Sequence, residues 1–122
     1  MTDWNDNQPI FRQLGEQISS QILQGIWPEG EALPSIRTVA ADLKINHLTV
    51  MKSYQLLVDD GLIEKRRGQG MFVAIGAIAK LKQAKRTQFI DEQVPQIADT
   101  LRYIDMDVDE FIDQLRIQMK GE

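Results

Sequence analysis

The stretch LPSIRTVAADLKINHLTVMKSYQLLVDDG, residues 33–61, decides the fold. Ser35 suits a helix N-cap, because its hydroxyl accepts a bond from an amide that the first helical turn would otherwise leave orphaned. Ile36, Val39, Ala40 and Leu43 follow at helical spacing and predict a short helix over 36–43. Asn46 is a second cap, and Val50, Tyr54, Leu57 and Val58 line one face of the helix it opens. Gly61 stops that helix where left-handed backbone is cheap. Two helices joined by roughly three residues make a helix-turn-helix.

Working outward, Ile10, Leu14, Ile18 and Ile22 recur every four residues, with Phe11, Leu23 and Ile26 widening the stripe into an amphipathic helix that ends near residue 25. Pro9 fits its first turn. Trp27-Pro28-Glu29-Gly30 then predicts a type I turn, with proline second and glycine fourth. On the other side, Leu62-Ile63-Glu64 and Met71 to Ile75 flank a basic tip, Lys65-Arg66-Arg67-Gly68-Gln69-Gly70, which predicts a β-hairpin. A hairpin directly after such a helix pair is the wing of a winged helix.

Residues 76–122 contain no turn-rich linker and read as helical. Ile90, Val94, Ile97, Leu101 and Ile104 are spaced 4, 3, 4, 3, a seam suited to another helix. Pro95 inside the seam predicts a kink or break near Val94. Asp107 with Glu110 three residues on predicts a capping box, followed by a final helix with Val108, Phe111, Ile112, Leu115 and Met119 on its apolar face. The expectation is a mostly α chain with a small β-hairpin, residues 1–75 forming the winged-helix domain and 76–122 a helical tail.

From Pro9 to Val73 the chain resembles the winged-helix DNA-binding domain of GntR-family bacterial transcription regulators. Pro9-Ile10-Phe11, Gly25 and Gly30 carry the likeness, with Leu33-Pro34-Ser35-Ile36-Arg37, Ala40 and Leu43, then Asn46, Thr49-Val50, Tyr54 and Leu57. Gly61-Leu62-Ile63, Gly68-Gln69-Gly70 and Phe72-Val73 complete it. About 49 residues after the wing are too few for the large ligand-binding domain that most such regulators carry, and the short tail resembles the YtrA subfamily, in which it dimerises. A two-helix hairpin also has too little surface to bury its own apolar stripes, so a second copy is the simplest partner. Ile90, Val94, Ile97, Leu101, Ile104, Phe111 and Leu115 are the expected dimerisation residues.

The resemblance implies double-stranded DNA as partner, a pseudo-palindromic operator, and repression more often than activation. In a helix-turn-helix the second helix enters the major groove by its N-terminal residues. Those are Asn46, His47, Leu48, Thr49 and, one turn on, Lys52. Asn46 and Thr49 suit phosphate, Leu48 a thymine methyl, and His47 a guanine N7. Ser35 and Arg37 open the preceding helix, whose N-terminal amides favour an anion, and the resemblance assigns Arg37 a DNA contact. The wing tip Arg66, Arg67, Gly68 and Gln69 is expected in a neighbouring minor groove. His47 and Leu48 stand where many relatives have arginine, so their base preference does not transfer. Lys44 occupies a turn position that is often glycine, which predicts a strained or altered turn.

Other chemistries fit poorly. With no cysteine and one histidine, a zinc-thiolate site and a thiol nucleophile are excluded. In the run from Asp105 to Asp109, glutamate (Glu110) and arginine (Arg116) stand where a calcium loop needs glycine and glutamate. No catalytic constellation, cofactor motif, basic-apolar leader or ~18-residue apolar span occurs, and the expectation is a cytoplasmic protein that is not an enzyme. The 14 basic and 18 acidic side chains give a net charge of −4, which by itself favours a rival, a winged-helix protein-interaction module without DNA binding. Position answers it: between Lys65 and Ile90 lie seven basic residues and no acid, whereas Asp91 to Glu122 holds three basic and nine acidic. The acidic charge belongs to a tail that, on this reading, faces away from DNA.

Overall fold

A computed structural model describes residues 4–121. The elements run α1 (Ile10–Leu23), α2 (Ile36–Leu43), α3 (His47–Asp59), β1 (Ile63–Arg66), β2 (Gly70–Val73), α4 (Ala77–Gln88), a π-turn (Phe89–Gln93), α5 (Val94–Tyr103) and α6 (Val108–Lys120). The chain divides into two compact units, residues 1–83 and 84–122, so the first turns of α4 belong with the winged helix, beyond the expected boundary at 75/76.

In the first unit, α1 presents Leu14, Ile18 and Ile22 to α3, which answers with Val50, Tyr54 and Leu57. Leu33, Leu62, Ile63, Val73 and Ala77 close the core, and the apolar face of α2 packs half-buried against it. Two buried polar groups are fully used. The Gln13 amide accepts from Asn5 N and donates to Asn5 O and Gln8 O, pinning the segment before α1. The Ser53 hydroxyl donates to Phe11 O at 2.7 Å and so locks α3 to the start of α1.

Helix ends follow the local chemistry. α1 stops at Leu23, with Gly25 at φ +85° and its amide on Ile22 O while Ile26 N reaches Gln21 O, which satisfies the last carbonyls. The turn that follows sits one residue later than expected. Gly30 N bonds Val73 O rather than Trp27 O, Glu31 N bonds Pro28 O, and Gly30 takes φ +82°, so glycine is third in the turn and proline first. The displacement has a cause: residues 30–33 lie along β2, with Val73 N on Glu31 O and Leu33 N on Met71 O. An isolated bridge, Ala32 to Phe72, thus flanks the antiparallel β1–β2 pair, whose register runs from Ile63–Val73 to Arg66–Gly70.

Glu29 ties the winged helix to the next element. Its carboxylate accepts from Gly76 N at 3.0 Å and Ile78 N at 2.8 Å, capping α4, and these two bonds lower its pKa.

In the second unit the interruption expected near Val94 takes the form of a π-turn rather than a break. Val94 N reaches back five residues to Phe89 O, and helical dihedrals continue through Gln93 and Val94. Proline lacks the amide for an ordinary bond to Asp91 and its ring crowds that carbonyl, so one wide turn makes the room. α5 ends with Asp105 at φ +56°, Met106 N on Leu101 O and Asp105 N on Arg102 O. Asp107 caps α6 as expected, accepting from Asp109 N rather than from the Glu110 amide of a capping box.

Candidate nucleic-acid interface

Both caps of the helix-turn-helix form as their residues dictate. Ser35 Oγ accepts from Thr38 N at 3.1 Å and donates to the Thr38 hydroxyl at 2.8 Å; Asn46 Oδ1 accepts from Leu48 N at 2.7 Å. The link between α2 and α3 turns on Lys44, which adopts φ +55°, ψ +46° while Ile45 N bonds Ala40 O. This is glycine geometry imposed on lysine, the strained turn that the sequence suggests.

Tyr54 fixes the angle between the helices. From the buried side of α3 its hydroxyl donates to Pro34 O at 2.6 Å, just ahead of the α2 cap. Burial raises its pKa to about 12. With Val50, Ser53, Tyr54 and Leu57 locked inward, the opposite side of α3 faces solvent. There Asn46, His47, Leu48 and Lys52 are exposed and Thr49 half-exposed, Leu48 by 60% despite its apolar side chain. Ser35 and Arg37 are exposed at the start of α2. The Lys52 ammonium stands 5.9 Å from the centroid of the Phe11 ring, with Arg12 at 5.5 Å from the same ring, so cations flank the α3 surface.

The wing differs from its expected form in one respect that matters. The strands reach further into the basic run, leaving Arg67-Gly68-Gln69 as the tip. Gln69 N bonds Arg66 O, and Gly68 takes the φ of +76° that such a turn requires at its third position. Arg66 therefore lies on β1, not at the tip. Its guanidinium bonds Glu64 at 3.1 Å and sits 4.0 Å from the Phe72 ring centroid. Arg67 is exposed at the tip. Thr38 is a further group that the sequence reading passed over; a threonine three residues after a serine cap was the available signal, and its hydroxyl is exposed beside Arg37.

The seam residues of the second unit separate into two sets. Ile97, Leu101, Ile104 and Phe111 line one open groove of about 950 Å³, together with Met106 and the polar rim Glu92, Gln93, Gln96 and Thr100. Ile90, Val94 and Leu115 are exposed outside it, by 58%, 42% and 48%. Among the described residues no group of three or more metal-ligating side chains forms, and no helix is long and apolar enough to cross a membrane.

Comparison with known proteins places this geometry. The family model "Bacterial regulatory proteins, gntR family" matches residues 11–73. Among curated proteins, the HTH-type transcriptional repressor YtrA of Bacillus subtilis is 32% identical over 122 residues, covering 98% of this chain and 93% of its own. Among solved structures, a putative GntR-family transcriptional regulator from Bacteroides thetaiotaomicron superposes with a TM-score of 0.76 at 29% identity, covering 93% of this chain and 98% of its own. The DNA-binding domain of AraR, solved in complex with operator ORX1, superposes with a TM-score of 0.54 at 28% identity, covering 61% and 90%. The chain belongs to the gntR family of bacterial regulatory proteins, and is a winged-helix, DNA-binding regulator of transcription rather than an enzyme.

Proposed function

We propose that this regulator is a cytoplasmic homodimeric repressor that reads a pseudo-palindromic operator with α3 and steadies itself by the wing. The observation that carries the DNA reading is the two-sided character of α3. One side is fixed by four buried residues, and the other offers Asn46, His47, Leu48, Thr49 and Lys52 to solvent at its N-terminal end. In the groove, His47 donates to a guanine N7, Leu48 meets a thymine methyl, and Lys52 takes a phosphate or a guanine edge. Asn46 and Thr49 bond phosphate, as does Arg37 from α2 with Ser35 beside it, while Arg67, Gly68 and Gln69 approach the minor groove. Arg66 supports the wing from β1.

Repression is carried over from the relative named as the transcriptional repressor YtrA. The homodimer is supported by the apolar surface of the tail, where Ile90, Val94, Ile104, Val108, Leu115 and Met119 are all exposed. Selection of bound sequences from a random duplex pool tests the reading. Two inverted half-sites about one helical turn apart, bound with a steep salt dependence, are the expected result. Recovery of no enriched sequence at low salt overturns it.

A further inference from the structure

The tail seam is close to palindromic about Ile97: Ile90 and Ile104 each stand seven residues away, and Val94 and Leu101 three and four. An antiparallel two-fold pair uses such a pattern, since each residue i that meets the partner's j is also met as j and the seam is read from both ends. We propose that two copies pair their α5 helices antiparallel with Ile97 on the two-fold axis, and that the basic end of α4 in one copy is held by the acidic α5–α6 turn of the other. This rests on the homodimer reading and adds to it an orientation and a charge code.

In this register Ile97 meets Ile97 of the partner subunit, Ile90 meets the partner's Ile104, and Val94 meets the partner's Leu101. The open groove of Ile97, Leu101, Ile104, Met106 and Phe111 is filled by the partner's seam. Charge selects this orientation over the parallel one. Eleven and twelve residues before Ile97, roughly 16–18 Å along a helix, come Arg86 and Lys85, both exposed in the last turn of α4. Beyond Ile97 in the other direction α5 ends at Tyr103, and the chain turns through Asp105, Asp107 and Asp109, all exposed. Antiparallel pairing sets each basic end beside the partner's acidic turn. A parallel pair stacks like on like at both ends, which is repulsive.

The chain has no cysteine, so single substitutions report the register through disulfide capture. The wild-type chain should sediment as a dimer; a monomer at micromolar concentration defeats the homodimer reading itself. Given a dimer, Ile97→Cys should form a covalent dimer under mild oxidation, whereas Ile90→Cys and Ile104→Cys should do so only when mixed. Self-linking of Ile90→Cys and of Ile104→Cys, each alone, makes the pair parallel and overturns the inference while leaving the homodimer intact. For the charge code, Lys85→Glu/Arg86→Glu and Asp105→Lys/Asp109→Lys should each weaken dimerisation about tenfold at low salt, and mixing the two variants should restore it. A dissociation constant that neither variant changes removes the charge code.

Discussion

The Tyr54 hydroxyl donates to the Pro34 carbonyl at 2.6 Å and joins the buried side of the recognition helix to the residue ahead of the α2 cap. The bond spans 20 residues of sequence and ties the two helices together from inside the core. Tyr54→Phe keeps the ring and removes the bond, so chemical denaturation should show a loss of about 1 kcal/mol. The pH dependence has a definite sign. Because the folded-state pKa is raised from 10 to about 12, the proton is held more tightly in the folded state. Its contribution is complete below pH 10 and is lost as pH climbs towards 12. The phenylalanine variant should lack that alkaline loss; a stability that falls as steeply in the variant over this interval would contradict the assignment.

Lys44 adopts φ +55° between α2 and α3, where a side chain costs on the order of 1 kcal/mol and glycine nothing. Glycine also gains freedom in the unfolded chain, so the net gain from Lys44→Gly is about 0.5 kcal/mol. Lys44→Ala removes the charge yet keeps the Cβ, and should show no such gain. Thermal unfolding of the two variants side by side separates strain from charge.

Much of this was legible because caps are local. Ser35, Asn46, Gly61 and Asp107 announce helix ends through chemistry within three residues, and all four ends lie where their residues put them. What escaped is set by partners far along the chain. The strand-like pairing of residues 30–33 exists because β2 supplies Met71 and Val73, and Glu31-Ala32-Leu33 has neither alternation nor strand propensity of its own. Arg66 and Arg67 are indistinguishable in sequence; only the Arg66–Gly70 register puts one on a strand over Phe72 and the other at the tip. Pro95 predicted a kink or break near Val94; the α-helical pattern is interrupted there, and what escaped is its form, a π-turn over Phe89–Gln93, which has no one-residue signature.

Glu29 caps α4 across 47 residues of sequence, and its lowered pKa gives a testable acid limb. A carboxylate more acidic when folded stabilises the fold above its unfolded value near 4.5, and that contribution is lost as pH falls through the lowered folded value. Glu29→Gln should therefore melt earlier than wild type at pH 7, and the difference should close in acid below pH 4.5. Faster hydrogen exchange at the Gly76 and Ile78 amides of the variant would locate the effect at the α4 N-terminus; protection unchanged at both amides would refute it.

Arg37 and Lys52 are exposed on consecutive helices of the proposed interface. Replacing either by alanine should weaken operator binding by about 1–2 kcal/mol, and a lost phosphate contact should lower the slope of log K against log salt by about one. Affinity unchanged in both variants across a salt titration would remove them from the interface.

The wing separates two arginines by function. Arg67 is exposed at the tip, so Arg67→Ala should leave the melting temperature unchanged and lower operator affinity about tenfold, with a shallower salt slope. Arg66 is held by Glu64 at 3.1 Å and by the Phe72 ring at 4.0 Å. Arg66→Ala releases a cation–π contact and a half-exposed ion pair, together about 1 kcal/mol, so its first effect is on the hairpin. It should lower thermal stability and reduce DNA affinity less than Arg67→Ala does. Lysine at the two positions sharpens the contrast. Arg67→Lys keeps a phosphate-seeking charge and most of the affinity, whereas Arg66→Lys loses the planar stack on Phe72 and should recover little stability. Equal losses of affinity in the two alanine variants, with no difference in melting, would mean that both arginines reach the DNA.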